Sequence, residues 1–135
     1  MSVRWYTVVV DCADVAAQGR WWARVLGWEI VYETLDEVVI VPTWAQAKAT
    51  EAKAAGAPRD QQFPGLVFVP VSEGKQVKNR LHIDLAPGPD DEHEAEVERL
   101  VSLGASRVDV GQGDSPWAVL ADPEGNEFCV LTPRD

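Results

Sequence analysis

Apolar and polar positions predict a clear succession of elements in the first half of the chain. Residues 5–11 are β-branched and aromatic, which is typical of a buried strand. A helix follows from an N-cap at Asp14 to about Leu26, because apolar residues recur at the 3.6-residue period and Gly27 is suited to end it. The inner face of this helix is predicted to carry Val15, Gly19, Trp22 and Leu26. Further strands are predicted at residues 28–33, 37–41 and 66–71.

Residues 42–64 interrupt this pattern with a long connection. A run rich in Ala, Lys and Glu predicts a short helix near residues 45–54, and glycine and proline punctuate the part that follows. Connections of this length in compact domains are often lids or binding loops, although a solvated surface loop is the commoner case. Both interpretations stay open for this segment.

The second half repeats the order of the first. A strand at residues 81–85 is followed by a helix that starts at Gly88-Pro89-Asp90, has an acidic first turn, and ends at Leu103-Gly104. Three more strands are predicted at residues 107–110, 116–121 and 126–131. Each half therefore reads strand, helix, three strands. The fold class is α+β, a single domain over residues 1–135 with two tandem βαβββ modules at about 1–72 and 79–135.

Residues 120–131 carry the densest turn chemistry of the chain. Asp122-Pro123-Glu124-Gly125-Asn126 combines a fixed φ at proline, a glycine that tolerates φ > 0, and side chains that bond nearby backbone amides. Short apolar runs flank this segment on both sides. The pattern predicts an antiparallel hairpin near the end of the chain.

Charge and composition narrow the classes of partner. The 12 basic and 22 acidic residues give 12 − 22 = −10, and such a surface repels phosphate backbones and anionic lipid, so nucleic-acid and membrane partners are not expected. The chain has no basic segment followed by an apolar run at its start and no apolar run of about 18 residues. Cys12 and Cys129 form no CxxC motif, which favours two thiols in a reducing, cytoplasmic setting. The six tryptophans fill a core or line a ligand cavity.

Three motifs together resemble the glyoxalase-like domain branch of the vicinal oxygen chelate superfamily, which includes glyoxalase I, bleomycin-resistance proteins and extradiol dioxygenases. They are Leu-Gly-Trp at residues 26–28, Leu-His-Ile-Asp-Leu at 81–85, and Asp-Pro-Glu-Gly-Asn-Glu-Phe-Cys at 122–129. The resemblance spans nearly the whole chain and implies that the two modules form a curved, partly open, barrel-like sheet around a cavity. Such domains commonly pair through exposed sheet edges, so a homodimer is expected.

The resemblance also implies positions for a divalent metal. Members with metal chemistry hold the ion with three or four His, Glu or Gln ligands on the first and last strands of each half. Counting from the motifs, these positions correspond to Thr7, Phe68, His82 and Cys129. One imidazole and one thiol are not a typical site for Mg, Mn, Fe or Ni, so neither the usual metal nor another cofactor is expected. A divalent ion at His82 is the alternative, for example zinc held by His82, Glu127 and Cys129.

The first functional hypothesis is a protein that binds a small organic molecule in the inter-module cavity without transforming it. Bleomycin-resistance members of the superfamily act by such sequestration. The predicted ligand contacts are Thr7, Trp44, Phe68, His82, Trp117, Glu127 and Cys129. For Trp44 and Trp117, filling of the core is an equally good interpretation.

Two further hypotheses remain open. One is a divergent lyase, isomerase or dioxygenase-type enzyme that uses His82 as a catalytic base, with Asp84 fixing its tautomer. Against it, the same pair could be a satisfied polar network at the cavity floor, and Cys129 lies in an apolar context that argues against a reactive thiolate. The other is an interaction module with no small ligand. His93 lies among acidic residues and is predicted to be a solvated surface residue.

Overall fold

The chain divides into two compact units, which we describe separately. The computed structural model describes residue 3, residues 5–56 and residues 65–135. Unit 1 is Met1–Gly74 and unit 2 is Lys75–Asp135. The division falls between the predicted end of module one at residue 72 and the predicted start of module two at residue 79. The last part of the predicted connection, residues 57–64, lies outside the described residues.

Unit 1 contains a four-stranded sheet in the order β1-β4-β3-β2. β1 is parallel to β4, with Val8 opposite Leu66, and the other neighbours are antiparallel. Its elements are β1 (Val8–Cys12), α1 (Val15–Leu26), β2 (Trp28–Glu33), β3 (Val38–Pro42), α2 (Thr43–Ala54) and β4 (Leu66–Pro70). The sheet core under α1 includes Val38, Ile40 and Phe68, all fully buried.

Unit 2 repeats this topology in the order β5-β8-β7-β6. Its first strand again pairs in parallel with its last, and the remaining neighbours are antiparallel. Its elements are β5 (Asp84–Leu85), α3 (His93–Ser102), β6 (Ser106–Arg107), β7 (Ala118–Ala121) and β8 (Glu127–Val130). The predicted α+β class with two βαβββ modules is confirmed, and neither sheet closes on itself within the described residues.

Helix α1 follows its sequence prediction closely. The carboxylate of Asp14 accepts the N–H of Ala17 at 3.1 Å, and Gly27 ends the helix in the left-handed region at φ 67°. A Cβ built on Gly19 would lie 2.5 Å from Cγ1 of Val38, so the mid-helix glycine lets α1 pack closely on β3. No helix in the described part of the chain is long and apolar enough to cross a bilayer.

Several predicted boundaries were wrong. α3 begins at His93 rather than near Gly88, because the Asp91 carboxylate accepts the N–H of Gly88 and the Asp91 N–H donates to the Gly88 carbonyl, closing a separate turn before the helix. β5 covers only Asp84–Leu85, and β1 begins at Val8, where its partner β4 also begins. The predicted short helix in the connection is present as α2 and starts two residues earlier.

The predicted hairpin is formed by β7 and β8. Asp122 is 4% exposed, and its Oδ1 accepts the N–H groups of Glu124 at 2.9 Å and Asn126 at 3.0 Å. Gly125 has φ 87°, a conformation that favours glycine. These bonds fix the register in which Ala121 lies opposite Glu127. The turn therefore determines which face of the sheet carries Glu127 and Cys129.

Candidate functional site in the second unit

The two faces of the unit 2 sheet have different roles. Cys129 is paired with Val119 on one side and with Asp84 on the other, so these three residues share one face. The alternate residues Leu120 and Phe128 are almost fully buried on the opposite face. One face therefore contributes to the core, and the other is available to form a site.

The available face borders a cleft of about 390 Å³. This volume lies within the usual range for small-molecule sites, roughly 300–1,000 Å³. The lining residues are Lys78, His82, Asp84, Val110, Gly111, Gln112, Trp117, Val119, Glu127, Phe128, Cys129 and Leu131. Trp117 is 41% exposed, so its indole is part of the cleft wall rather than a buried core group.

His82 and Asp84 form a polar pair in this cleft. Nδ1 of His82 lies 3.0 Å from Oδ1 of Asp84. When the imidazole is neutral, a proton on Nδ1 donated to Asp84 leaves Nε2 as an acceptor. The predicted pairing is present, but the two side chains are 41% and 46% exposed. The pair therefore lies in an open part of the cleft and not at a buried floor.

The thiol of Cys129 completes a cluster with this pair. One ligand atom from each of His82, Asp84 and Cys129 lies within 4.8 Å of the others. Burial raises the pKa of Cys129, as do the charge of Asp84 and its hydrogen bond with the thiol, while Lys78 acts weakly in the opposite direction. The thiol is therefore protonated near neutral pH, which agrees with the sequence argument against a nucleophilic Cys129.

Glu127 is engaged elsewhere in the cleft wall. Its Oε1 lies 2.6 Å from Nζ of Lys75, and its Oε2 accepts the N–H of Asn79 at 3.0 Å. Burial acts to raise the pKa of Glu127, but the hydrogen bonds from Asn79 and Lys75 outweigh it and the pKa is lowered. The Glu127 carboxylate on β8 therefore holds Lys75 and Asn79 of the preceding segment close to this strand. Asp84, rather than Glu127, is the carboxylate clustered with His82 and Cys129.

The remaining predicted contacts belong to unit 1. The hydroxyl of Thr7 donates to the carbonyl of Gly65 at 3.2 Å, and Trp44 is 60% exposed with Nζ of Lys48 5.8 Å from its ring centroid. Phe68 is fully buried, 3.6 Å from the position of a Cβ on Gly19. Its ring is therefore part of the core beneath α1. The residues beside it that alternate to the other face, Val67 and Val69, carry no ligand atom.

Sequence reasoning missed the role of His93. The residue is half-buried, and its Nε2 lies 3.0 Å from the carbonyl oxygen of Val130, so the prediction of a solvated surface histidine was wrong. The available signal was spacing, because His93, Val97 and Leu100 recur at i, i+4 and i+7 on one helix face. This histidine anchors the start of α3 to β8 and is not part of the cleft.

Comparison with known protein families gives a match at the level of sequence. The sequence model of the glyoxalase-like domain family matches residues 7–131. A search of curated proteins finds no significant match.

Solved structures resemble the fold at low sequence identity. A glyoxalase/bleomycin resistance protein/dioxygenase family enzyme from Burkholderia phytofirmans PsJN has a TM-score of 0.66 at 14% identity, covering 98% of this chain and 100% of that chain. The fosfomycin resistance protein FosX from Listeria monocytogenes, complexed with Mn(II) and sulfate ion, has a TM-score of 0.63 at 13% identity, covering 99% and 93%. A glyoxalase-related enzyme from Fulvimarina pelagi has a TM-score of 0.61 at 13% identity, covering 96% and 87%.

Two of the four positions that the resemblance assigned to a divalent metal carry no suitable ligand in this chain. The Thr7 hydroxyl is bonded to a backbone carbonyl, and the buried ring of Phe68 has no donor atom. His82 and Cys129 remain, and a thiol is a poor partner for an ion that prefers oxygen ligands.

Proposed function

The chain belongs to the glyoxalase-like domain family, and we propose that it binds a small organic molecule in the unit 2 cleft without transforming it. The observation that carries this proposal is the cleft itself, which has the volume of a ligand site and an exposed indole in its wall. The family resemblance extends to proteins that sequester their ligands, and the proposal assigns this chain to that type.

The chemistry of the lining suggests the class of ligand. Val110, Val119 and Leu131 supply apolar surface, and Trp117 supplies a face on which a planar ring can stack. Because of this apolar and aromatic lining, we expect a small aromatic or heteroaromatic compound. Gln112 stabilises the nearby loop, since its side chain accepts the N–H of Val110 and donates to the carbonyl of Val108.

Polar groups at one end of the cleft would orient this compound. The exposed His82–Asp84 pair offers an acceptor at Nε2 of His82 and carboxylate oxygens at Asp84. Glu127 contributes less, because Lys75 and Asn79 already occupy its oxygens. A ring that carries a hydrogen-bond donor is the ligand that these groups favour.

Two features favour binding over turnover. The raised pKa of Cys129 removes the readiest nucleophile of the cleft. The four family metal positions offer a poor donor set for the ion that supports catalysis in metal-dependent members. Binding of a ligand without turnover needs neither a nucleophile nor a metal ion.

A divergent lyase, isomerase or dioxygenase-type enzyme is the alternative. The observation in its favour is the 3.0 Å contact between His82 and Asp84, because a carboxylate that fixes the tautomer of an exposed imidazole is a common arrangement for a general base. In that case a bound compound would be consumed, and His82→Gln would abolish its consumption while leaving binding largely intact.

We also propose that the protein is a cytoplasmic homodimer, without nucleic-acid or membrane partners. The basis is the formal charge of −10, the two cysteines that form no CxxC motif, and the tendency of exposed sheet edges to pair.

Equilibrium dialysis against a mixture of small aromatic acids, amines and heteroaromatic compounds tests the proposed function. Mass spectrometry of both chambers reports which compounds are retained and whether they are chemically unchanged. We expect unchanged compounds to be retained by the wild-type protein and less strongly by Trp117→Ala, with Trp44→Ala as the matched control in unit 1. Loss of a compound together with the appearance of a product would support the enzyme instead, and no retention of any compound would contradict the binding function.

A further inference from the structure

We infer that His82, Asp84 and Cys129 form a three-donor site for a borderline transition-metal ion of the zinc class, built entirely within unit 2. The inference goes beyond the proposed binding function, which needs no ion. It rests on Asp84, which is at none of the four family positions and yet has a carboxylate oxygen within 4.8 Å of ligand atoms of both His82 and Cys129.

The geometry brings three donors to one point. Asp84 and Cys129 are direct neighbours on parallel strands β5 and β8, and Nδ1 of His82, two residues before Asp84, lies 3.0 Å from Oδ1 of Asp84. Their ligand atoms lie within 4.8 Å of one another. Tetrahedral zinc with bonds of about 2.0–2.3 Å needs ligand atoms roughly 3.4–3.6 Å apart. The His82–Asp84 pair, now 3.0 Å apart, would open slightly and the longer separations would shorten, and the exposed side chains of His82 and Asp84 can make both changes by rotation about their χ angles.

The donor types select the class of ion. Imidazole, carboxylate and thiolate are all established zinc ligands, and three of them with one open position form the usual pattern of an accessible zinc site. Mg²⁺ and Mn²⁺ prefer oxygen donors and gain little from a thiolate. The site therefore prefers Zn²⁺, or Co²⁺ in its place, to the hard ions.

Binding requires one proton to leave the site. The Cys129 thiol is protonated in the metal-free protein, so the metal–sulfur bond forms as the S–H bond breaks and the proton passes to the buffer. No electron is transferred. Asp84 already holds both partners, since its carboxylate bonds the ring nitrogen of His82 and the thiol of Cys129. The ion would replace these two hydrogen bonds with coordination.

Cobalt titration of tag-free, reduced Cys12→Ser protein tests this site. Cys12 is the other cysteine, so this background leaves Cys129 as the single thiol. We expect saturation at one Co²⁺ per chain, with an intense near-ultraviolet charge-transfer band that only a thiolate ligand produces, and displacement of Co²⁺ by Zn²⁺ but not by Mg²⁺. Adding Cys129→Ser should remove the band.

The exposed ligands give a second test that does not depend on the half-buried cysteine. We expect His82→Ala and Asp84→Ala each to weaken zinc binding at least about tenfold. Loss of a residue that only supports a ligand typically weakens metal binding by about 10–100-fold, so loss of a ligand itself should cost no less. His93→Gln and Glu127→Gln are the matched controls and should change zinc affinity little. Absence of saturable binding in folded Cys12→Ser protein, a band that survives Cys129→Ser, or a larger loss with Glu127→Gln than with Asp84→Ala would overturn the inference.

This test is independent of ligand binding. Retention of organic compounds is measured in the presence of a chelator, so a failed dialysis experiment leaves the cobalt result intact. A failed cobalt titration likewise leaves the binding function untouched.

Discussion

At the scale of single residues, the cleft shows how neighbours decide what a side chain can do. Cys129 is at a family ligand position, but burial and Asp84 keep its thiol protonated. Glu127 shares its face, but Lys75 and Asn79 occupy its oxygens. These partners are 52 and 48 residues away in the sequence, so local pattern could not have identified them. His82 and Cys129 could be singled out as candidates from the sequence, because His82 lies in the Leu-His-Ile-Asp-Leu motif and Cys129 follows seven residues after Asp122 of the turn.

The first residue-scale prediction concerns the reactivity of Cys129. In chelator-treated Cys12→Ser protein, Asp84→Asn should speed alkylation by iodoacetamide at neutral pH roughly fivefold. The factor corresponds to about 1 kcal/mol between unit charges ~4 Å apart in water. The thiolate becomes easier to form because a neighbouring negative charge has been removed. An unchanged or slower rate would show that Asp84 does not control the thiol.

The second residue-scale prediction concerns acid stability. The pKa of Glu127 is lowered in the folded protein from its ordinary value of 4.5, so its stabilising contribution is full above that value and decreases as pH falls through the folded pKa. Glu127→Gln should reduce the free energy of unfolding at pH 7 by about 1 kcal/mol. The difference from wild type should shrink below pH 4.5.

Urea unfolding at several pH values measures this effect. Glu29→Gln, on an exposed position of β2, is the control and should change stability little at any pH. A wild-type advantage that persists undiminished well below pH 4.5 would contradict the role of the Glu127 carboxylate.

At the scale of elements, local chemistry decided where prediction succeeded. α1 and the β7–β8 hairpin were predicted well, because Asp14, Gly27 and Asp122 act on their own backbone neighbours. The start of α3 was missed because Asp91 closes a turn of its own instead of capping the helix. The short extent of β5 depends on its pairing with β8, which lies far along the chain.

The element-scale prediction concerns the packing of α1 on β3. Alanine at Gly19 would gain about 1 kcal/mol of helix propensity but would collide with buried Val38, and overpacking typically costs about 1–3 kcal/mol. We expect Gly19→Ala to be destabilising by about 1 kcal/mol in chemical denaturation. Gly74→Ala, where a Cβ meets no atom within 4 Å, should be nearly neutral.

A double-mutant cycle separates this collision from other causes. Val38→Ala removes the Cγ1 atom that the new methyl group would meet. In that background Gly19→Ala should be clearly less destabilising, although the Cβ of residue 38, 3.0 Å from the new methyl group, remains. A stabilising Gly19→Ala in the wild-type background would contradict the close approach of the two elements.

At the scale of the whole molecule, the chain contains two units of the same topology whose side chains differ in chemistry. Both sheets place the first strand parallel to the last, and the equivalent strand orders are β1-β4-β3-β2 and β5-β8-β7-β6. The polar cluster described here belongs to unit 2, whereas Thr7 and Phe68 in unit 1 are engaged in backbone bonding and core packing. The duplication was readable from the sequence, because the order of elements repeats. The sequence did not predict that His82, Asp84 and Cys129 cluster within unit 2, because Asp84 is not at a family ligand position.

The whole-molecule prediction concerns assembly. Unit 1 exposes several large apolar or aromatic side chains, namely Trp5, Tyr6, Tyr32 and Leu35. Pairing of two chains would remove such groups from water. We expect light scattering after size-exclusion chromatography to give twice the mass of one chain across a tenfold range of concentration. A single-chain mass throughout this range would contradict the homodimer.

The central claim, that the unit 2 cleft binds a small organic molecule, is tested most directly by fluorine NMR. Protein labelled with 5-fluorotryptophan reports its six indoles separately, and Trp117→Phe assigns the resonance of the cleft wall. In titrations with a set of small aromatic and heteroaromatic compounds, we predict that binders shift the Trp117 resonance and leave that of Trp44 unchanged. Binding that moves other tryptophans but never Trp117, or no saturable shift with any compound, would contradict the account.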